Sequence, residues 1–305
     1  MYKPTRDSLK EIVDKTLISQ HNFEGLYHFT DIKNLSSILS DGYLRSRGEC
    51  IKQDLNFFDS GYKLTDLPLL HLEDKVRFHF KEKTPSLFDS EGIKSNSDEF
   101  HVPIPVYLVF DEELLYLEET IYTSQSPEDK DCKFGNTLDF FKNIEWSKIF
   151  RRGPLSEQDD RELAFSFRNA EILLPHSVSL SYLNRIVFRS EIDKKRFLKD
   201  FVCPYECVVD KRKFFSENLY LDDFSIQHSQ KGLILTLTMN TPISLESKSY
   251  SHKIEFIDQN NNSSIKNLVL DLNGYHQTFS FTLPDMKDGI LNYYLNDVLS
   301  FSEKI

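Results

Sequence analysis

The feature that most constrains this chain is a change in sequence pattern after about residue 212. Beyond that point the apolar segments are short, strand-like and separated by polar turns, at residues 232–239, 253–257, 265–272 and 278–283. Evenly spaced strands without helices are typical of a small β-sandwich. We therefore expect two domains, residues 1–214 and a β-rich domain of unknown role over residues 215–305.

The first 200 residues instead mix helix and strand patterns. Residues 8–17 show helical spacing of apolar side chains, and a strand at 25–30 leads into a helix that ends at Gly42. Residues 45–70 lack periodicity and are predicted to form a long loop, which in a compact domain is usually functional. Further strands are predicted at 76–80, 102–110, 121–124, 162–174 and 185–189, and helices at 137–150 and 191–201. The mixture predicts an α+β fold.

Charge and composition exclude several classes of protein. The net charge of −11 argues against a protein that coats nucleic acid non-specifically, because phosphate binding needs a basic face. No apolar run approaches the roughly 20 residues that span a bilayer, and no signal peptide is recognisable. The chain is therefore expected to be cytoplasmic, without membrane contact. Its four scattered cysteines predict reduced thiols, and no metal site is expected.

The common catalytic and nucleotide-binding motifs are absent from the sequence. There is no glycine-rich dinucleotide fingerprint after a strand, no P-loop lysine, no His-Glu-x-x-His and no Gly-x-Ser-x-Gly. Dehydrogenase, ATPase, zinc-protease and hydrolase functions therefore lose support.

Three ionisable residues within apolar strand segments remain as candidates, namely His28, His79 and Glu171. A lone histidine in a strand is more often structural than catalytic. A carboxylate that opens an apolar strand is costly to bury unless it is paired, although it can equally lie at an exposed edge. Each residue alone is therefore a weak signal.

Four blocks of sequence carry a family resemblance when they are taken together. They are residues 25–44, where Tyr-His-Phe-Thr precedes a helix; 76–88, an aromatic strand followed by Thr-Pro; 140–146, a helix ending in Trp; and 168–183, which begins Arg-Asn-Ala-Glu-Ile-Leu-Leu-Pro. In this order the chain resembles DarT-type ADP-ribosyltransferases over about residues 23–190. The resemblance implies a split mixed β-sheet with flanking helices, and NAD as co-substrate.

The resemblance also implies roles for single residues. Glu171 matches the catalytic glutamate, and His28 matches the histidine that holds the ribose hydroxyls of NAD. Thr30 and Asn34 fall where neighbouring NAD contacts are expected. ADP-ribosyl transfer passes through an oxocarbenium-like state, as glycoside cleavage does, and a carboxylate beside the ribose stabilises that positive charge.

The second block departs from the family at one position. His79 stands where the family usually has tyrosine, and its ring is expected to act in catalysis by stacking on nicotinamide. Phe78 and Phe80 offer further aromatic surface for the cofactor, one against nicotinamide and the other against the core.

The long loop departs as well, since residues 56–64 lack the arginine that the family places beside the target base. Four basic residues are candidates to bind the acceptor in its place: Arg77, Arg45, Arg47 and Lys52.

The acceptor implied by the resemblance is a base of single-stranded DNA or RNA, held by stacking and a few phosphate contacts. Lys148, Arg151 and Arg152 form a basic patch that either makes such contacts or is simply solvated. The resemblance further implies a toxin of a toxin–antitoxin or phage-defence system, with an antitoxin protein as partner. Two alternatives stay open: transfer to a protein side chain, and an inactive binding module of the same fold.

Overall fold

The computed structural model describes residues 6–59, 70–94, 101–153, 155–241, 248–272, 277–284, 286 and 288–305. The chain forms two compact units. The first comprises Met1–Asp89, Val106–Val187 and Cys203–Val208, and the second comprises Ser90–Pro105, Phe188–Val202 and Val209–Ile305. The second unit therefore contains two segments from the first 214 residues in addition to the C-terminal strands.

The helices are short. They are α1 (Arg6–Ile12), continued by a π-helix at Val13–Ile18, α2 (Ser19–His21), α3 (Ile32–Asp41), α4 (Arg47–Lys52), α5 (Pro85–Ser90), α6 (Leu138–Lys142), α7 (Trp146–Ile149), α8 (Arg161–Arg168) and α9 (Glu191–Asp200). Single 3-10 turns lie at Leu72–Asp74, Glu112–Tyr116, Leu180–Tyr182 and Lys211–Lys213. No helix within the described ranges is long and apolar enough to cross a membrane.

A large sheet organises the first 210 residues. Its strands are β1 (Leu26–Asp31), β3 (Lys75–His79), β4 (Pro105–Phe110), β5 (Ile121–Thr123), β6 (Phe134–Gly135), β7 (Glu171–Pro175), β9 (Leu183–Phe188) and β10 (Glu206–Val209), in the order β10-β9-β4-β1-β3-β7-β5-β6. A separate pair joins β2 (Tyr43–Arg45) to β8 (Ser177–Ser179). Strand β4 is buried along its whole length, as expected for a strand in the interior of a sheet.

The link from β1 to α3 follows from local chemistry. The side chain of Asp31 accepts a hydrogen bond from the Lys33 amide and so caps the helix. Gly42 ends it in the left-handed conformation, with φ of 78°, which glycine adopts without steric cost. The predicted strand and helix are both confirmed, and their junction holds His28 and Asn34 in fixed positions.

Two predictions about local structure were wrong. Residues 162–174 are not one strand, because α8 occupies their first half and β7 begins at Glu171. The alternation of Leu163, Phe165 and Phe167 resembles a strand, but Asp160 caps a helix there by accepting from the Leu163 amide. Residues 45–70 are not loop throughout, because Ser46 caps α4, while 60–69 lie outside the described residues.

The helix predicted over 137–150 is also divided, into α6 and α7. Thr137 caps the first of them by accepting from the Phe140 amide. The expected apolar residues are still buried: Phe141 in α6, Ile149 in α7 and Ile144 between the two helices.

Two antiparallel sheets form the C-terminal part of the second unit, and the α+β fold with a β-rich end is confirmed. One sheet has the order β11 (Tyr220–Ser229), β12 (Gly232–Asn240), β15 (Gln277–Leu283); the other has the order β14 (Ser263–Leu272), β13 (Lys248–Asp258), β16 (Gly289–Leu295), β17 (Val298–Lys304). Phe224 of one sheet stacks on Phe301 of the other with ring centres 4.1 Å apart. Such contacts between sheet faces make this part a sandwich.

Candidate active site

Strand register places the candidate residues together. In the antiparallel pair of β3 and β7, His79 lies opposite Glu171 and Arg77 lies opposite Leu173. Residues two apart on a strand share a face, so Arg77, His79 and Glu171 project from the same side of the sheet. A sequence separation of more than 90 residues is thus closed by strand pairing.

The carboxylate of Glu171 is held by Arg77. Nε of Arg77 donates to Oε2 at 2.6 Å and Nη2 donates to Oε1 at 2.8 Å, while the same Nη2 also donates to Glu128 at 2.9 Å. The side chain of Glu171 is only 3% exposed. Burial alone would lower the pKa of Arg77, but the two carboxylates raise it, so the guanidinium stays charged. A two-point pair of this kind fixes the orientation of the carboxylate.

His28 contacts the backbone of the same arginine residue. Its Nδ1 is 3.0 Å from the carbonyl oxygen of Arg77, and its ring meets the edge of Phe78 with centres 6.1 Å apart. Burial lowers the pKa of His28 to about 4, against the opposing effects of that hydrogen bond and of the Glu171 charge. The imidazole is therefore neutral at pH 7 and acts through hydrogen bonds rather than through charge.

His79 completes the group. Its Nδ1 is 3.9 Å from Oε1 of Glu171, and its ring stacks on Phe29 with centres 5.7 Å apart. Burial lowers its pKa, so it too is neutral at pH 7. Within the described residues Nδ1 of His79 is buried and has no hydrogen-bond partner.

Thr30 and Asn34 form a small network at the start of α3. The Asn34 amide donates to Thr30 Oγ1 at 3.0 Å and to the Phe58 carbonyl at 2.9 Å, and its oxygen accepts from the Phe58 amide at 2.7 Å. This pair therefore anchors the segment before residue 60 to the first strand and helix.

The remaining predicted residues lie elsewhere. Phe78 and Phe80 are 0% and 1% exposed, against Phe110 and Trp146, so neither ring offers a surface to a ligand. The other basic candidates make surface ion pairs: Arg45 with Asp41, Arg47 with Asp59 and Glu73, and Lys52 with Glu49. Among the four acceptor candidates, Arg77 is the one that contacts Glu171.

Two supporting residues were missed from the sequence. Thr123 is fully buried at the end of β5, and its hydroxyl accepts from the Glu171 amide at 2.8 Å and lies 3.1 Å from the Glu171 carbonyl oxygen. Glu128 shares the guanidinium of Arg77. Neither belongs to a recognisable motif, since each acts through a contact that only the folded sheet creates.

Comparison with known proteins identifies the class of this site. A family model described as "ssDNA thymidine ADP-ribosyltransferase, DarT" matches residues 27–215, which is more than half of the chain. The protein is thus an ADP-ribosyltransferase by class. It belongs to the DarT family, which confirms the resemblance seen in the four sequence blocks. None of the curated proteins matches it.

Solved structures resemble the chain at low identity. Thermus sp. 2.9 DarT in complex with NAD+ is 18% identical, with a TM-score of 0.48 over 62% of this chain and 96% of that chain. The same Thermus protein in complex with ADP-ribosylated ssDNA is 19% identical, with a TM-score of 0.49 over 62% and 95%. Thermosipho africanus DarTG in complex with ADP-ribose is 18% identical, with a TM-score of 0.50 over 69% and 55%. The last likeness shows a shared fold.

The site contains nitrogen and oxygen groups suited to a sugar and a base. Across the described residues no group of His, Cys, Asp and Glu side chains is placed to hold a metal ion. The usable chemistry is one fixed carboxylate, one guanidinium and two neutral imidazoles. Such a set can hold hydroxyls and stabilise a developing positive charge.

Proposed function

We propose that this protein transfers ADP-ribose from NAD to a base of single-stranded DNA. The family match supports the reaction class, and the family description names thymidine as the base. The observation that carries the assignment to residues is the carboxylate of Glu171, fixed by Arg77 and 3.9 Å from His79, while His28 contacts the carbonyl oxygen of the same arginine. The site residues and the nature of the acceptor are our proposal.

The reaction proposed is a substitution at the ribose carbon that bears nicotinamide. The carbon–nitrogen bond breaks with its electron pair, and neutral nicotinamide leaves. A base nitrogen then bonds to that carbon and gives its proton to solvent. Glu171 stabilises the positive charge that develops on the sugar, as a carboxylate does in glycoside cleavage. His28, neutral at pH 7, holds ribose hydroxyls by hydrogen bonds, with Thr30 and Asn34 nearby.

Arg77 takes the place of the arginine that the long loop lacks. From β3 its guanidinium donates two hydrogen bonds to the carboxylate of Glu171. A quarter of its side chain, 25%, is exposed. In this proposal Arg77 orients the carboxylate and faces the acceptor base. His79, with an unused Nδ1, packs against nicotinamide.

The wider biological role follows from the family resemblance. We propose that residues 1–214 form the transferase and that the β-rich residues 215–305 are a separate domain. A cytoplasmic enzyme that modifies DNA bases needs neutralisation, so the proposal includes a toxin–antitoxin or phage-defence role and an antitoxin protein. Deleting residues 215–305 and measuring antitoxin binding tests whether this domain is the docking surface.

One assay tests the transfer itself. The full chain is incubated with NAD and separately with thymidine-containing single-stranded DNA, RNA and cell lysate, and nicotinamide release and polymer mass are followed. We expect one ADP-ribose per modified base on DNA. Modified RNA would move the acceptor, modified peptides would favour a protein target, and no nicotinamide release in any reaction would favour an inactive module.

A further inference from the structure

Near the candidate active site lies a buried lysine that has no counter-ion among the described residues. Lys81 follows His79 by two residues and is 7% exposed. Its ammonium makes one long hydrogen bond, at 3.3 Å, to the carbonyl oxygen of Arg151. An ammonium has three donors, and a buried charge is normally paired, so two donors and a full charge are unaccounted for within the described residues.

A second cation lies close to this lysine. Arg168 ends α8, three residues before Glu171, and donates from Nη2 to the Gly153 carbonyl at 3.0 Å. Its Nε is buried and has no hydrogen-bond partner among the described residues. The positive charge of Arg168 acts with burial to lower the pKa of Lys81, to about 8. Two neighbouring like charges, one of them buried, are costly unless an anion joins them.

The nearby acidic groups are already committed. Glu82 pairs with Arg152 at 3.1 Å, and Asp159 pairs with Arg151 through two bonds of 2.7 Å each. The basic patch predicted from the sequence is therefore largely neutralised, since Lys148 also pairs with Glu145 at 2.7 Å. Near this patch, Lys81, which is buried, and Arg168, which is partly buried, are positive charges without an acidic partner among the described residues.

We propose that Lys81 and Arg168 form a phosphate-binding subsite that holds the acceptor strand beside Glu171. Phosphate oxygens accept from both ammonium and guanidinium donors, and such charge-assisted bonds are strong. Lys81 lies just beyond the end of β3, at most about 7 Å along the chain from His79, and His79 is paired with Glu171, so the subsite is next to the strand end that carries the carboxylate. This inference rests on the proposed function for the identity of the strand. The diphosphate of NAD is the other source of the same chemistry.

The test measures binding without catalysis. A fluorescent single-stranded oligonucleotide is titrated with full-length protein in the absence of NAD at several salt concentrations, and NAD binding is measured separately by calorimetry. We expect K81M and R168Q each to weaken oligonucleotide binding about tenfold and to reduce the salt slope by ~0.7 for each phosphate that the variant no longer binds. K231Q, at an exposed lysine in the turn between β11 and β12, serves as the control and is expected to leave oligonucleotide binding and NAD binding unchanged.

Folding is checked by thermal unfolding of the ligand-free proteins. A lysine that serves only the fold lowers the melting temperature when it is replaced, whereas removal of an unpaired buried charge raises it. We expect K81M to have a higher melting temperature than the wild type and to bind the oligonucleotide more weakly. K81R, which keeps the charge, is expected to bind it about as well as the wild type. Weaker NAD binding with unchanged DNA binding assigns the subsite to the donor.

The subsite proposal is overturned if K81M and R168Q bind both the oligonucleotide and NAD as tightly as the wild type does. It is also overturned if the wild-type protein binds none of oligonucleotide, NAD and inorganic pyrophosphate. Because no step depends on transfer, a protein that binds DNA through Lys81 yet releases no nicotinamide refutes the proposed function and keeps the subsite.

Discussion

Two buried arginine–glutamate pairs, one in each compact unit, are built differently. In the second unit Arg189 and Glu91 are 1% and 0% exposed and lie 3.3 Å apart, with the guanidinium 3.9 Å above the ring of Tyr220. In the first unit Arg77 keeps 25% of its side chain exposed while it holds Glu171. The first arrangement is closed on all sides, and the second keeps one side open to solvent.

The surroundings of the two pairs differ in the same way. Asp193 lies 3.9 Å from Nε of Arg189, and the second oxygen of Glu91 accepts from the Phe215 amide at 3.1 Å. Beside Glu171, by contrast, lies the imidazole of His79, 3.9 Å away and neutral at pH 7. A closed pair specifies the fold, whereas a partly exposed pair beside a neutral imidazole is a place for chemistry.

The strongest way to break this comparison is to change Glu171. E171Q keeps the shape of the side chain and removes the charge that stabilises the sugar cation, so we expect nicotinamide release to fall about a thousandfold. The measurement is nicotinamide release with NAD and single-stranded DNA, and E145Q, at an exposed glutamate, is the control. Retention of more than a tenth of the wild-type rate in E171Q would remove the catalytic assignment.

The closed pair is tested by R189M. This change leaves Glu91 as a buried charge without its cation, so we expect the free energy of unfolding to fall by about 3–5 kcal/mol. Urea unfolding measures it, and R212M is the control because Arg212 pairs with Asp210 while 90% exposed. Equal, small decreases in the two variants would show that the closed pair contributes nothing to the fold.

Replacement of Arg77 sharpens the contrast. In R77K the charge remains but the fork that holds both oxygens of Glu171 is removed, so we expect about a tenfold slower transfer with little change in stability. R185K is the matched control, since Arg185 is equally exposed and pairs with Glu24 at 2.7 Å. A large decrease in stability with an unchanged rate per folded molecule would instead place Arg77 with Arg189, as a residue of the fold.

Much of the fold could be predicted from the local sequence pattern. The strand with His28 and the following helix were predictable because the apolar spacing and the stop at Gly42 agree. The C-terminal sandwich was predictable from alternation alone. Helix α8 was misread because Leu163, Phe165 and Phe167 alternate on a helix that exposes the first two of them.

The site was only partly readable. His28 and Glu171 became candidates because their blocks resemble a family, whereas the pairing of Arg77 with Glu171 could not be predicted. Arg77 was one of four basic candidates, and no sequence rule ranks an arginine in a strand above one in a loop. Only the pairing of β3 with β7 shows that Arg77 is the candidate that contacts Glu171. The charge on Lys81 was hidden for the same reason, because burial and missing partners exist only in the folded chain.

A further expected effect is on the pH dependence of stability. Burial lowers the pKa of His28 and of His252 to about 4, whereas an unfolded histidine titrates near 6.5. The unfolded chain therefore binds more protons between these values, so their contribution to stability is complete above about pH 6.5 and is lost as the pH falls towards 4. Each histidine adds a slope of at most ~1.4 kcal/mol per pH unit.

The two histidines separate the regions again, because His252 lies in the sandwich with its Nδ1 2.7 Å from the Tyr293 hydroxyl. H28N and H252N should each flatten the unfolding free energy between pH 4 and 6.5, and H228Q, at an exposed histidine, should not. Only H28N should also weaken NAD binding at pH 7.5. An H252N variant that weakens NAD binding as much as H28N would end the distinction between a histidine that serves the site and one that serves the core.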